Sequence, residues 1–89
     1  MMEFHTLEDT CGLMASGDYK DRFKAEYWQT KIRYERLKAF NNKIEASNMT
    51  MNPVPTHDCP DHLLREQQRV MGEYLHILEV RAVIEHIDL

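Results

Sequence analysis

The sequence predicts an all-α protein: an antiparallel helical hairpin with a short N-terminal helix, assembling as a homo-oligomeric helical bundle. Three observations carry that expectation. Apolar residues recur at steps of three and four over two long stretches, 18–47 and 60–87, which is the period of a helix face. All three prolines, Pro53, Pro55 and Pro60, fall in or beside the connector at 48–59, where each removes a backbone donor and bars a continuous helix. No segment alternates apolar and polar residues in the manner of a strand. The 89 residues hold one domain, 1–89, and a domain of this size buries a limited share of its surface, so self-association is an expected route to stability.

The first expected element is a short helix at 6–15. Thr6 and Asp9 have the spacing of a capping box, Ser16-Gly17 closes the turn, and Asp18 is placed to cap the next helix. Along 18–47, Phe23, Tyr27, Thr30, Tyr34, Leu37, Asn41 and Ile44 make one row. A second row, Trp28, Ile32 and Ala39, with Phe40 nearby, widens the apolar face, so this helix should touch more than one neighbour. After the connector, Asp58 or Cys59 is positioned to cap a helix that has Pro60 in its first turn and Asp61 beside the positive end of its dipole. In that helix Leu64, Gln67, Met71, Tyr74, Leu78, Arg81 and Glu85 form one row, while Leu63, Val70, Ile77 and Ile84 recur at steps of seven as another. Two rows imply packing on two sides.

Charge is partitioned along the chain. The totals are Lys+Arg 11 against Asp+Glu 15, a net of −4, yet residues 18–47 carry eight bases and five acids while residues 48–89 carry three bases and seven acids. A basic first helix and an acidic second one favour each other. The overall acidity argues against DNA as a partner but leaves room for a small anion in a local basic pocket. No apolar run approaches the roughly 20 residues that cross a bilayer, so no membrane partner is expected. Cys11 and Cys59 lack the spacing of a disulfide framework, and Met1-Met-Glu-Phe-His lacks the features of a secretory leader, which together predict a reducing cytoplasm.

Two constellations stand out. Tyr27, Trp28, Lys31, Tyr34 and Arg36, with Arg33 beside them, would face Gln67, Tyr74 and Arg81 across the hairpin. Aromatic faces stack on a purine and guanidinium forks match phosphate oxygens, so this mixture suits a nucleotide-like anion. The plainer alternative is that the aromatics are core and the cations form surface ion pairs. Arg81, on an otherwise apolar row, requires a partner: Glu35, Glu85, a neighbouring subunit or a ligand. The second constellation is His57-Asp-Cys-Pro-Asp-His62. It lacks the paired ligand spacing of a zinc site, and its acids suit a helix start, so no metal is expected. No catalytic motif, no Gly-rich phosphate loop and no cofactor signature is present, so the chain is expected not to be an enzyme.

The block from Tyr19 to Leu37, with Phe23, Tyr27, Trp28, Tyr34 and Arg36, and the later run Glu66-Gln67, Met71, Tyr74-Leu75, Ile77 to Glu79, Arg81-Ala82 and Ile84-Glu85 resemble a family of short helical-hairpin proteins of phages and prophages, including crAss-like phages. That family is similar in design to the anti-defence sponges that counter CBASS and Thoeris immunity. The resemblance implies a non-enzymatic homo-oligomer in the cytoplasm of a bacterial host. It would bind and sequester a cyclic nucleotide or cyclic ADP-ribose-type signal, with the small anion held between subunits by Arg, Lys and aromatic side chains. Two alternatives from other classes are a protein-binding inhibitor of a host defence enzyme, similar to an anti-CRISPR, and a small structural or regulatory phage protein.

Overall fold

The computed structural model describes residues 6–89. Its elements follow in the order of a 3-10 turn at Glu8–Thr10, α1 at Cys11–Met14, α2 at Tyr19–Thr50 and α3 at Asp61–Ile84, with no strand among the described residues. The molecule measures 49 × 25 × 22 Å. Its long dimension is that of α2, since a 32-residue helix rising 1.5 Å per residue spans about 48 Å. The expected antiparallel hairpin is present. Phe23 meets Arg81, Tyr27 meets Glu79, Tyr34 meets Gly72 and Asn41 meets Leu64, so positions that ascend α2 descend α3.

Local chemistry explains the ends of the elements. Thr6 and Asp9 form the reciprocal pair expected of them, with the Thr6 amide donating to Asp9 Oδ2 at 3.2 Å and the Asp9 amide to Thr6 Oγ1 at 3.3 Å. The short helix expected at 6–15 is instead a 3-10 turn followed by the four residues of α1. Asp18 caps α2 by accepting from the Lys20 amide at 3.0 Å, and Ser16 Oγ donates to Asp21 at 2.7 Å, fixing the corner. α2 continues past 47 to Thr50 because residues 48–50 contain no breaker, and the first proline is Pro53. Met51 then turns left-handed (φ 59°) and the Asn52 amide reaches back to the Ser47 carbonyl at 2.9 Å, a Schellman-type close.

The start of α3 departs from expectation. Neither Asp58 nor Cys59 caps it; Pro60 occupies the cap position with no side-chain bond to the helix. His57 holds the connector instead, its Nδ1 2.6 Å from the Cys59 carbonyl oxygen and its Nε2 3.0 Å from Asp61 Oδ1. α3 closes at Ile84, short of 87. His86 adopts φ 57°, the Ile87 amide donates to Ala82 at 2.8 Å, and the Ile87 side chain folds under the helix end into the core.

That core lies in one half of the hairpin. Phe23, Tyr27, Leu75, Leu78, Ala82 and Ile87 cluster between the start of α2 and the end of α3, with Trp28, Tyr34 and Leu89 packed against them. The other side of α2 in the same half is covered by the N-terminal segment. Gln29 Nε2 donates to Oγ1 of the fully buried Thr10 at 2.8 Å, and Ala25 and Ile32 are buried. Toward the connector the buried side chains are Asn41 and Ile44. The step-of-seven row on α3 is left uncovered, with Leu63, Val70, Ile77 and Ile84 between 48 % and 68 % exposed. Among the described residues, no helix is long and apolar enough to cross a membrane.

Candidate functional site

The structure divides the sequence's candidate residues into three groups. Tyr27 is buried, donates its hydroxyl to Glu79 at 2.7 Å and meets Trp28 edge-on with ring centroids 5.2 Å apart. Burial, reinforced by Glu79, pushes the Tyr27 phenol pKa well above its ordinary value. Tyr34 lies across Gly72; a Cβ added there would meet the ring at 3.3 Å, so glycine permits the two helices their close approach. These three aromatics are packing residues. Tyr74 and Arg81 sit near the start of α2, each already bonded to a carboxylate. Tyr74 donates its hydroxyl to Glu26, a bond that raises its pKa. Arg81 holds Glu85 at 2.8 Å while its guanidinium carbon lies 4.8 Å from the centre of the Phe23 ring. The Arg81 bond keeps the Glu85 carboxyl below the ordinary carboxylate range. The partner that Arg81 required is therefore Glu85, from its own helix, and no ligand is needed to satisfy it.

Lys31 pairs with Glu35 at 3.3 Å. Gln67 is exposed on the first half of α3. Arg36 belongs to a different place: together with Ala39, Phe40 and Lys43 it lines an open hollow of about 300 Å³ on α2. The hollow continues the row Ala25, Ile32, Ala39. The N-terminal segment covers the first two, and beyond it Ala39 is exposed. Phe40 forms an aromatic floor, held by the His57 ring edge-on at 5.9 Å. Arg36 and Lys43 stand on either side of it, seven residues apart, which is about 10 Å along the helix. Residues 31–43 carry five bases and one acid. Arg33, Arg36, Lys38 and Lys43 have no carboxylate partner among the described residues.

Unpaired cations flanking a half-buried aromatic ring at the edge of an open hollow can hold an anion that carries a planar ring. The guanidinium fork takes two oxygens of a phosphate, the ammonium adds a point charge, and the ring stacks. The sequence places Arg36 in the ligand set and Phe40 with the packing face, and Lys43 in neither. The signal that finds the site is the spacing Arg36, Phe40, Lys43 at i, i+4, i+7, which sets all three on one face. Among the described residues, the His57 to His62 stretch included, no group of three His, Cys, Asp or Glu side chains is arranged to hold a metal.

The Sequestin family model matches residues 17–84. The chain belongs to the Sequestin family. Searches of curated proteins and of solved structures gave no match. The Sequestin match begins at the corner before α2 and ends on the last residue of α3. It runs unbroken through the connector, which the resemblance read from the sequence had left out, and it includes the hollow. The 3-10 turn and α1 lie outside it.

Proposed function

We propose that this Sequestin binds a small nucleotide-derived anion and withholds it without chemical change, as a phage protein blunting a bacterial defence signal made of a cyclic nucleotide or a cyclic ADP-ribose-type product. The observation that carries this reading is the hollow on α2, where Arg36 and Lys43 lack carboxylate partners and flank Phe40. A phosphate there would satisfy the Arg36 donors, and a base would cover the ring. The family's name, which denotes sequestration, supports a binder over a catalyst. So does the absence of any nucleophile and base brought together around the hollow among the described residues.

Calorimetry against cyclic dinucleotides, cyclic trinucleotides and cyclic ADP-ribose isomers tests it. One class should bind and be recovered intact, by mass, after the protein is denatured. Arg36→Ala should weaken that binding by about 2 kcal/mol, roughly 30-fold, the typical worth of a charged hydrogen bond. Lys43→Ala should weaken it to a lesser degree, while Arg65→Ala, on the exposed surface of α3, should change little. Recovery of an altered nucleotide would make the protein an enzyme. Failure of every nucleotide to bind would favour the reading in which the chain inhibits a host protein directly.

A further inference from the structure

The connector reaches the hollow through a histidine. Of residues 52–60, Pro55 and His57 are half-buried and the rest are exposed. The His57 ring stands perpendicular to that of Phe40 on α2, with centroids 5.9 Å apart. Its Nδ1 lies 2.6 Å from the Cys59 carbonyl oxygen in the connector, and its Nε2 lies 3.0 Å from Oδ1 of Asp61, the first residue of α3. Arg36 and Lys43 line the hollow on either side of the same Phe40 ring.

Both nitrogens of His57 therefore face oxygens that accept. A carbonyl and a carboxylate offer lone pairs and no proton. Neutral imidazole carries one N–H, so it serves one of the two oxygens and sets a bare nitrogen lone pair against the other. Imidazolium carries two and serves both, with a charge-assisted bond to Asp61. The surroundings of His57 fit the charged ring.

We propose, building on the reading of the hollow as an anion site, that His57 is a positioning residue for it: as imidazolium it ties the connector to α3 and holds the Phe40 ring on which the ligand stacks, and on losing its proton it loosens that ring. Two effects act in the same direction. A Phe40 ring fixed before the ligand arrives leaves less ordering to oppose binding. Imidazolium also offsets the Asp61 carboxylate, which is otherwise a bare negative charge one ring away from Phe40. Affinity for the anion therefore rises as pH falls through the range of about pH 8 to 5 in which histidine side chains change charge. By reciprocity, binding of the anion takes up a proton.

Two arms of one experiment keep the clamp and the ligand apart. In the first, with no nucleotide present, phenylalanine is replaced by para-fluorophenylalanine, and the Phe40 fluorine signal is assigned by its loss in Phe40→Leu. At about pH 6 that signal should differ from its position in His57→Ala, and on raising the pH to about 8 it should move toward that position. A signal that stays where it is overturns the clamp, whatever the nucleotides do. In the second arm, calorimetry on the nucleotide class that binds the wild type should give an affinity about fivefold higher at about pH 6 than at about pH 8, the lower end of ordinary coupling between sites. Proton uptake should appear as a dependence of the heat on the ionisation enthalpy of the buffer. His57→Phe, which keeps a ring beside Phe40 and removes both nitrogens, should lose the pH dependence, while His62→Gln, at an exposed neighbour, should keep it. An affinity that is flat with pH in the wild type, or that varies as much in His57→Phe, overturns the proposal. A Phe40 signal that follows pH in a protein that binds no nucleotide leaves the clamp standing and overturns the anion reading of the hollow instead.

Discussion

The two halves of the hairpin are built from the same pair of helices and to different ends. In the half that holds the chain termini, α2 is covered on two sides, by α3 and by the N-terminal segment, and polar groups of α2 and α3 are bonded to one another: Tyr27 to Glu79, Tyr74 to Glu26, Arg81 to Glu85. In the half toward the connector, the buried side chains are Ile44 and Asn41, the latter bonded to Leu64 and Gln68 of α3; one side of α2 is open, and Arg36, Lys38 and Lys43 have no carboxylate partner among the described residues. Stability is concentrated in the first half. The open hollow is in the second. A binding site needs groups that the fold has not already paired, and in the half with the thinner core such groups flank an open hollow.

The largest test of that division is Leu78→Ala. Leu78 is 1 % exposed at the centre of the core cluster, and removing it should cost about 3 kcal/mol in urea unfolding, as a lost buried leucine with a residual cavity does. Arg36→Ala, by contrast, should leave the urea midpoint where it is. If the two changes cost alike, the division between a stabilising half and a binding half is wrong.

A smaller effect is expected at Asn41. Its Nδ2 donates to the Leu64 carbonyl at 3.2 Å and to Gln68 Oε1 at 2.9 Å, while its Oδ1 is buried without a partner. Asn41→Ala should cost about 1–2 kcal/mol, because Gln68 is left facing a void. Asn41→Leu, which also removes the unsatisfied acceptor, should cost less than about 1 kcal/mol. A loss of 3 kcal/mol or more for the leucine variant would show that the second half is as dependent on its polar contact as the first half is on Leu78.

Tyr27 offers a third test, in pH. Its folded pKa is raised above the ordinary 10.0 by burial and by the bond to Glu79. The neutral phenol is therefore favoured in the fold, the contribution is complete below the unfolded pKa, and stability should fall as pH rises beyond about 10, where the unfolded chain releases the proton first. Tyr27→Phe should lower stability by about 1 kcal/mol at pH 7 and flatten the alkaline fall. An unchanged alkaline slope in Tyr27→Phe would assign the titration elsewhere.

Much of the fold was legible because helices announce themselves locally. The rows through Phe23, Tyr27, Leu78 and Leu64, the Asp18 cap and the prolines each act within a turn or two of chain. The ends were less legible. The close of α2 at Met51 and of α3 at His86 uses non-glycine residues in a left-handed conformation, for which composition gives no sign. The site was legible in its residue types and not in its grouping. Tyr27, Trp28, Tyr34 and Tyr74 look alike in sequence, and only packing separates aromatics that fill a core from Phe40, whose exposure depends on where the N-terminal segment stops covering α2.

The smallest expected effect is also the one that decides between the two arginines. Arg81 looked in sequence like the residue in need of a phosphate, because a cation on an apolar row is costly when unpaired. In the fold it has Glu85 as a fork partner, the Phe23 face beneath it, and half-exposed surroundings in which water screens whatever remains. An incoming phosphate would have to displace Glu85 and would meet Glu26 nearby, a like charge within the same cluster. Arg36 presents the reverse case, with its donors free beside Phe40 and Lys43. Arg81→Ala should therefore leave nucleotide affinity within about twofold of the wild type, while Arg36→Ala weakens it. Should Arg81→Ala abolish binding with the fold intact and Arg36→Ala leave it unchanged, the ligand lies in the termini half, and Glu85 must be a carboxylate that the ligand exchanges rather than one that excludes it.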